Sequence, residues 1–231
     1  MRAKIMLLAT LLIGVVSGFS QTVLLQWSFG TSSPDAPTAN ATNAASNVTG
    51  GTFTYNSSSG GSGSLSNGSP MDPIDDGYYF KGNYWRAVDT SYFSFTVTPT
   101  SGYELSLTSI SFNYLSSSTG PNSYSLASSV DSYGTPLASG SLTQAPPTVH
   151  SSDWHTNSPS IALAATSPTT IRLSASGASS ASGVVRVDRV TINGTVTAVP
   201  EPSTYGAMAG VLALAWAVVR RRRRTGPPGS V

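Results

Sequence analysis

The stretch YELSLTSISFNYL, residues 103–115, decides the fold class of this chain of 231 residues. Its apolar side chains alternate with Ser, Thr and Asn, as in a strand that buries one face against a core. The alternation changes phase between Leu107 and Ile110, which predicts a bulge or a break into two strands. A turn at 98–102 joins this stretch to an earlier alternating run at 92–97. The centre of the chain is therefore predicted to be built from strands.

Similar runs of β-branched and aromatic residues lie on both sides, separated by turns rich in Gly, Pro, Ser and Asn. They predict strands at 22–29, 52–55, 78–80, 84–85, 124–130, 137–142, 161–165, 169–175 and 184–196. Residues 31–47 predict a long loop, and the Ser/Gly-rich segment 56–70 predicts a flexible loop with no buried element. No 3.6-residue periodicity occurs between 21 and 197. The predicted fold class is therefore all-β. A single antiparallel β-sandwich is expected, and a jelly-roll-like topology is favoured.

The N-terminus predicts an export signal. Arg2 and Lys4 precede an apolar run at 5–16, and small residues stand before a cleavage site after Ser20. We interpret residues 1–20 as a helical signal peptide, because about 12 apolar residues are too few to span a bilayer. The implied partners are the secretion translocon and signal peptidase.

The net charge of the chain is concentrated in its terminal segments. Twelve Lys and Arg against ten Asp and Glu give a formal net charge of +2 and a pI near 9.0. Residues 21–197 keep only five of the basic residues and nine of the acidic ones, a net charge of −4. The composition of this domain therefore excludes nucleic acid as a partner. The chain has no Cys, so it contains no disulfide bond.

The C-terminus combines three features in a fixed order. Pro200, Glu201 and Pro202 favour extended, accessible backbone, because each proline restricts the residue before it. The apolar run at 205–219 predicts a transmembrane helix of about 22 Å, short of a hydrocarbon core of about 30 Å. Arginines that follow an apolar helix stay on the cytoplasmic side among anionic headgroups. Here they are Arg220, Arg221, Arg222, Arg223 and Arg224.

This order of Pro-Glu-Pro-Ser-Thr, short apolar helix and arginine cluster resembles the PEP-CTERM sorting signal, over residues 198–224. The resemblance implies bacterial export, transient residence in the cell-envelope membrane, and processing near the Pro-Glu-Pro motif by an exosortase. The protein would then reach the cell surface or the extracellular space. Residues 225–231 are interpreted as a cytoplasmic stub.

Residues 21–197 are the predicted cargo domain. Parts of it, the segments 117–142 and 187–194, resemble the β-sandwich domains of many PEP-CTERM proteins, which are similar to carbohydrate-binding or laminin-G-like jelly rolls. The resemblance supplies no ligand-contacting motif. The leading hypothesis is a non-catalytic surface or extracellular-matrix protein associated with exopolysaccharide or biofilm. The alternatives are a carbohydrate-binding module and, more remotely, a hydrolase.

Aromatic residues in or near predicted loops are candidate carbohydrate contacts, because sugar rings stack on exposed aromatic faces. The set is led by one tryptophan: Trp85, Tyr84, Tyr79 and Trp154. The alternative is that these rings pack in the core, where aromatic side chains are more often found.

Three acidic residues, Asp72, Asp75 and Asp76, precede Gly77 and suggest a structural Ca²⁺ site, since Ca²⁺ prefers several oxygen ligands. Their spacing does not match an EF-hand loop. The alternative is a turn rich in Asp-Pro and Asp-Gly, and no other cofactor or metal is expected. Asp188 is expected to pair with an arginine, Arg186, Arg189 or Arg172, rather than to bind a metal ion.

A hydrolase would need a nucleophile, a base and an orienting carboxylate. His150, Asp153 and His155 lie close together in sequence beside two serines, but spacing alone does not define a triad. The neighbouring prolines favour an exposed loop here. No catalytic residue is therefore expected.

Overall fold

The computed structural model describes residues 22–29, 36, 38–58, 60–66, 78–86, 90–199 and 202–224. Within these residues the predicted all-β domain is confirmed: two antiparallel sheets face each other across one hydrophobic core, and a single α-helix follows. The predicted signal peptide at 1–20 and the stub at 225–231 lie outside the described residues.

The first sheet has eight strands in the described part of the chain: β1 (Thr22–Trp27), β3 (Asn43–Ala44), β6 (Gly63–Ser66), β7 (Tyr79–Trp85), β9 (Tyr103–Ser116), β12 (His155–Asn157), β13 (Ser160–Ala165) and β15 (Gly183–Ala198). Their order across the sheet is β12-β9-β15-β1-β3; β13 pairs with β9, and β7 joins β15 to β6.

The second sheet has seven strands in the same described residues: β2 (Thr38–Ala39), β4 (Val48–Gly50), β5 (Phe53–Asn56), β8 (Tyr92–Pro99), β10 (Ser123–Ser128), β11 (Pro136–Ser141) and β14 (Thr169–Ser176). Their order across the sheet is β11-β10-β14-β8-β5-β2, and β4 pairs with β8. Short 3₁₀ turns lie at Ser129–Asp131 and Ser151–Asp153, and the helix α1 spans Pro202–Arg224.

The long strands β9 and β15 form the centre of the first sheet. Their pairing shifts register between Asn193 and Gly194, opposite Ser109 and Leu107. This is where the change of phase in the sequence predicted a bulge, and that prediction is confirmed. A bulge bends the strand, so one strand can serve both halves of a curved sheet.

The core is dominated by aromatic rings contributed by both sheets. Phe53 and Phe93 from the second sheet contact Phe80 from the first sheet, with ring centroids 5.3 and 6.1 Å away. Trp27 packs on Phe95 with the centroids 4.9 Å apart. Such tilted and edge-on pairs add to the free energy gained from burying apolar area. In a chain without disulfides, burial of this core, with its aromatic and aliphatic side chains, is what stabilises the fold.

Two predictions about loops were wrong. The Ser/Gly-rich segment 56–70 contains β6, and its one large apolar side chain, Leu65, is fully buried. The predicted loop at 31–47 contains the two-residue strands β2 and β3. These strands pair along sheet edges, where small and polar residues suffice because one side of the backbone is already satisfied by a neighbouring strand.

Tyr124 makes the stability of the folded domain depend on pH in the alkaline range. Burial of its phenol, with a smaller effect from the neighbouring Tyr114, raises the pKa of Tyr124 above its ordinary value of 10.0. The folded state thus favours the neutral phenol. Its contribution to stability is complete below the unfolded pKa and is lost as the pH rises through the folded pKa.

Tyr124→Phe is therefore expected to lose less stability than the wild type when the pH is raised above about 10. The measurement is urea-induced unfolding of both proteins at neutral and alkaline pH. Parallel losses of unfolding free energy in the two proteins would contradict the assignment to Tyr124.

Candidate functional site

The C-terminal helix begins where the sandwich ends. β15 ends at Ala198, and the amide of Val199 donates to the carbonyl oxygen of Gly102 over 2.8 Å. Pro200 and Glu201 lie outside the described residues, and Pro202 is the first residue of α1, a position that proline tolerates because its missing N–H has no partner in the first turn. The motif thus sits directly between the folded domain and the helix.

The described side chains of α1 are all exposed. Val211, Leu212, Leu214 and Trp216 are between 63% and 71% exposed, so a run of apolar surface is left uncovered by the sandwich. The guanidinium carbon of Arg220 lies 5.0 Å from the centroid of the Trp216 ring, one turn earlier. Tryptophan and arginine next to an apolar stretch are typical of residues at a membrane surface.

A search of the described residues finds no helix with enough length and apolar character to cross a membrane. The backbone of 205–219 is helical, and the helix extends to Arg224 through the arginine cluster. The crossing of a membrane by 205–219 stays a prediction.

Trp85, the leading candidate for a carbohydrate contact, is fully buried, so its ring cannot stack on a ligand in this structure. It packs against Tyr55 and Phe93, with ring centroids 5.3 and 5.6 Å away. Its indole Nε1 donates to the carbonyl oxygen of Gly82 over 3.0 Å. The alternative interpretation, a core position, holds for Trp85.

A bulge at the end of β7 explains why Trp85 is buried while its neighbour Tyr84 is exposed. Asn83 and Trp85 pair with successive residues of β15, so Tyr84 is the extra residue of a bulge between them. Tyr84 has a φ of 62° and is 51% exposed. The bulge turns Tyr84 outward and Trp85 inward, so of these neighbours only Tyr84 lies on the surface.

Tyr79 and Trp154 pack against each other on the outside of the first sheet. Their ring centroids are 5.7 Å apart, Tyr79 is 2% exposed, and Trp154 is half-buried. The guanidinium carbon of Arg186 lies 5.5 Å from the Tyr79 ring centroid. The segment leading to β12 covers this part of the sheet, so the two rings stabilise a loop and Tyr79 offers no open face.

The histidines do not form a catalytic group. Asp153 accepts a hydrogen bond from the backbone N–H of His150 over 2.6 Å, so its carboxylate holds a turn of the chain. His150 is exposed, and the ring of His155 packs against Tyr114 with the centroids 5.7 Å apart. Within the described residues, the Asp153 carboxylate makes no hydrogen bond to either imidazole, so the contact that orients the base of a triad is missing.

The acidic residues Asp72, Asp75 and Asp76 lie outside the described part of the chain, and Ca²⁺ binding by them stays a prediction. Among the residues that are described, no group of three or more His, Asp or Glu side chains is placed to hold a metal ion. Asp188 is fully buried, and its Oδ1 accepts from the backbone N–H of Arg189 over 2.8 Å.

The outer surface of the second sheet is rich in hydroxyl groups. Strands β5, β8, β10 and β14 alternate buried and half-buried positions, and their outward side chains form what we call the hydroxyl face. It consists of Thr54, Asn56, Tyr92, Ser94, Thr96, Ser123, Ser125, Thr170, Arg172, Ser174 and Ser176.

Register and hydrogen bonds organise these side chains into rows across the sheet. Arg172 lies opposite Ser94, which lies opposite Thr54. The hydroxyls of Thr54 and Ser94 are 2.8 Å apart, and those of Thr96 and Thr170 are 3.0 Å apart. Each hydroxyl can still take part in further hydrogen bonds, since it has one donor and two acceptor lone pairs.

One cationic side chain of this face packs against two aromatic rings. The guanidinium carbon of Arg172 lies 4.1 Å from the ring centroid of Tyr92 and 3.6 Å from that of Tyr133. Such cation–π contacts fix the position of a charged group that would otherwise be mobile. This site could not be predicted from the sequence, because Tyr133 lies in a turn far from Arg172 along the chain.

Comparison with known proteins decides the nature of the C-terminus. The family described as the PEP-CTERM protein-sorting motif matches residues 198–224. The chain carries a PEP-CTERM sorting motif. The match contains Pro200, Glu201, Pro202 and all five arginines, and it confirms the prediction made from these residues. No curated protein gives a significant match to this PEP-CTERM chain.

Several solved structures resemble the sandwich at low identity. The arabinose-bound α-L-arabinofuranosidase MgGH51 has a TM-score of 0.46 and 11% identity, over 74% of this chain and 27% of that one. The xylan-binding CBM22-1 domain of Xyn10C from Paenibacillus barcinonensis has a TM-score of 0.43 and 12% identity, over 76% and 96%. The K1 cleaved adhesin domain of Lys-gingipain from Porphyromonas gingivalis W83 has a TM-score of 0.43 and 8% identity, over 75% of this chain and 98% of that one.

This chain thus spans only 27% of the arabinofuranosidase. At these identities and TM-scores, the likeness concerns the β-sandwich and carries no argument about ligands or activity.

Proposed function

We propose that this chain is an exported, non-catalytic protein of the cell surface or extracellular matrix, sorted through its PEP-CTERM motif. A jelly-roll-like sandwich, 21–197, is the cargo. The translocon and signal peptidase act on 1–20, the helix at 205–219 holds the chain in the membrane for a time with Arg220–Arg224 on the cytoplasmic side, and an exosortase processes the Pro-Glu-Pro region. The product is associated with exopolysaccharide or biofilm.

The observation that carries this proposal is the matched motif at 198–224, whose exposed apolar helix follows directly on the last strand of the sandwich. Because β15 ends at Ala198, cleavage near the motif would leave every described strand in the released domain. The exposed apolar side chains of α1 gain a favourable environment only when something apolar covers them, and a bilayer does so.

Replacement of Pro200, Glu201 and Pro202 by Ala is expected to leave unprocessed protein in the membranes of the native host, because the enzyme loses its extended recognition segment. The measurement is cell fractionation combined with mass spectrometry of the C-terminal peptide. Thr197→Ala, at an exposed position just outside the matched residues, is the control and should be processed. An identical mature C-terminus in the motif variant and the wild type would contradict the proposal.

A second candidate function, carbohydrate binding, is favoured by the hydroxyl face. Rows of Ser and Thr hydroxyls on a regular sheet offer many weak donors and acceptors to a polymer with many hydroxyls. The test is affinity electrophoresis of the full chain in gels that contain a panel of neutral and acidic polysaccharides. Unchanged mobility in every gel would exclude this function and leave the sorting proposal intact.

A further inference from the structure

Arg172 is the only charged residue in the described strands of the second sheet. It forms no hydrogen bond or ion pair with any residue that the structure describes. Its Nε is closed off from solvent without a hydrogen-bond acceptor, whereas the terminal nitrogens stay accessible. A guanidinium has five N–H donors, and a buried donor left unsatisfied costs free energy. The arrangement is therefore favourable for a ligand that brings acceptors.

The turn that carries Tyr133 is built at an energetic cost. Ser132 and Tyr133 both adopt left-handed backbone, with φ of 58° and 64°. Such a conformation costs free energy in a residue other than glycine. The amide of Tyr133 donates to the carbonyl oxygen of Ser128 over 2.8 Å, and Asp131 accepts from the amide of Thr135 over 2.8 Å. These bonds fix the Tyr133 ring over Arg172.

The rings of Tyr92 and Tyr133 lie against the guanidinium, with centroids 4.1 and 3.6 Å from its carbon. Arginine binds a carboxylate through two parallel N–H···O bonds in the plane of the guanidinium, and no described residue accepts a hydrogen bond from Arg172 in competition with such a contact. The nearest acid in the turn, Asp131, is held by the amide of Thr135 and makes no contact with Arg172. Among the residues that the structure describes, no acidic side chain forms an ion pair with this guanidinium, so its charge suits an anionic ligand.

The neighbours of Arg172 suit a sugar that carries this carboxylate. Ser94 lies directly opposite Arg172, and Ser174 lies two residues along the same strand on the same face. Residues directly opposite on antiparallel strands lie about 4.5–5.5 Å apart at Cβ, within reach of one sugar ring. A carboxylate on Arg172 would therefore place the ring hydroxyls over side-chain hydroxyls.

We infer that the hydroxyl face binds an acidic polysaccharide, with a uronate carboxylate on Arg172 and adjacent sugar hydroxyls on the Ser and Thr side chains. This inference rests on the proposed carbohydrate-binding function and names its ligand class. Tyr92 and Tyr133 hold the guanidinium, and no covalent step takes place.

The test uses the full chain in nonionic detergent, with polygalacturonate and alginate as the acidic polymers. Fully methyl-esterified polygalacturonate is the neutral counterpart, and polyglutamate supplies carboxylates without sugar hydroxyls. Wild-type protein is expected to bind at least one acidic polysaccharide more tightly than either comparison polymer. Arg172→Met is expected to bind it about tenfold more weakly, as loss of a charge-assisted hydrogen bond predicts.

Two glycine variants separate binding from stability. Tyr133→Gly relieves strained backbone but removes the ring, so it is expected to fold normally and to bind less tightly. Ser132→Gly relieves the same kind of strain and keeps the ring, so its affinity should equal that of the wild type.

Three results would overturn the inference: equal affinity for the methyl-esterified polymer or for polyglutamate, unchanged affinity in Arg172→Met, or no binding to either acidic polysaccharide. Binding to neutral polymers alone would remove the acidic ligand and keep the carbohydrate-binding function. The location of the protein in the cell is a separate readout, so the sorting proposal can fail or succeed independently.

Discussion

Phe53→Ala is expected to lower the free energy of unfolding by about 3–5 kcal/mol, the largest effect of any single substitution proposed for this domain. The Phe53 ring is fully buried where the two sheets meet. Its centroid lies 5.2 and 5.3 Å from those of Phe29 and Phe80, and 5.6 and 5.7 Å from those of Phe93 and Phe95. Truncation would remove four ring contacts and leave a cavity that the surrounding strands can fill only in part.

The measurement is urea-induced unfolding followed by tryptophan fluorescence, since Trp27 and Trp85 lie in the same core. Val130→Ala is the control, because Val130 is 60% exposed and its truncation should change stability by less than about 0.5 kcal/mol. If Phe53→Ala does not fold, Phe53→Leu should still show a loss. Wild-type stability in both Phe53 variants would show that the cluster repacks and that it does not govern the stability of the sandwich.

Sequence alternation predicted the long strands well, because a strand that buries one face has an apolar residue at every second position. β8 and β14 follow their predicted ranges within one or two residues, and even the bulge in β9 was visible as a change of phase. The pairing of strands that are distant in sequence could not be predicted from this alternation. β15 pairs with β9 on one edge and with both β1 and β7 on the other, and the local sequence of β15 does not indicate these partners.

The short strands were missed for a related reason. β6 has one large apolar residue, Leu65, among Gly and Ser, so its sequence carries no periodicity to detect. Its strand conformation follows from pairing with β7, where Leu65 lies opposite Phe80. Tertiary contact here overrides the local preference of a Ser/Gly-rich segment for a loop.

The sorting motif and the hydroxyl face differ in how far sequence could reveal them. Pro200, Glu201 and Pro202 act as a linear segment, so their order and position suffice for recognition. The stack of Arg172 between Tyr92 and Tyr133 joins a strand, a neighbouring strand and a turn. Only the positive φ of Tyr133 and the register of β8 and β14 bring the three side chains together. A surface of this kind is visible only in three dimensions.

Gly194→Ala is expected to destabilise the sandwich by about 1–3 kcal/mol, as overpacking of a closed site does. Gly194 lies in β15 at the register shift, paired with Leu107 of β9 and Thr22 of β1. A Cβ there would overlap the carbonyl oxygen of Ser106 and stand 3.0 Å from the Cα of Leu107. Since both neighbours are backbone atoms, no side-chain rotation can relieve the clash, and the two central strands must separate.

Urea-induced unfolding of Gly194→Ala and Gly134→Ala provides a matched comparison. Gly134 lies in a surface turn with ordinary φ, and a Cβ there would meet only the carbonyl oxygen of Asp131, at 3.3 Å. Gly134→Ala should therefore remain close to the wild type in stability, while Gly194→Ala falls well below it. Equal stability of the two variants would mean that β9 and β15 can separate at the bulge without loss. Their close approach would then not be what holds the centre of the first sheet together.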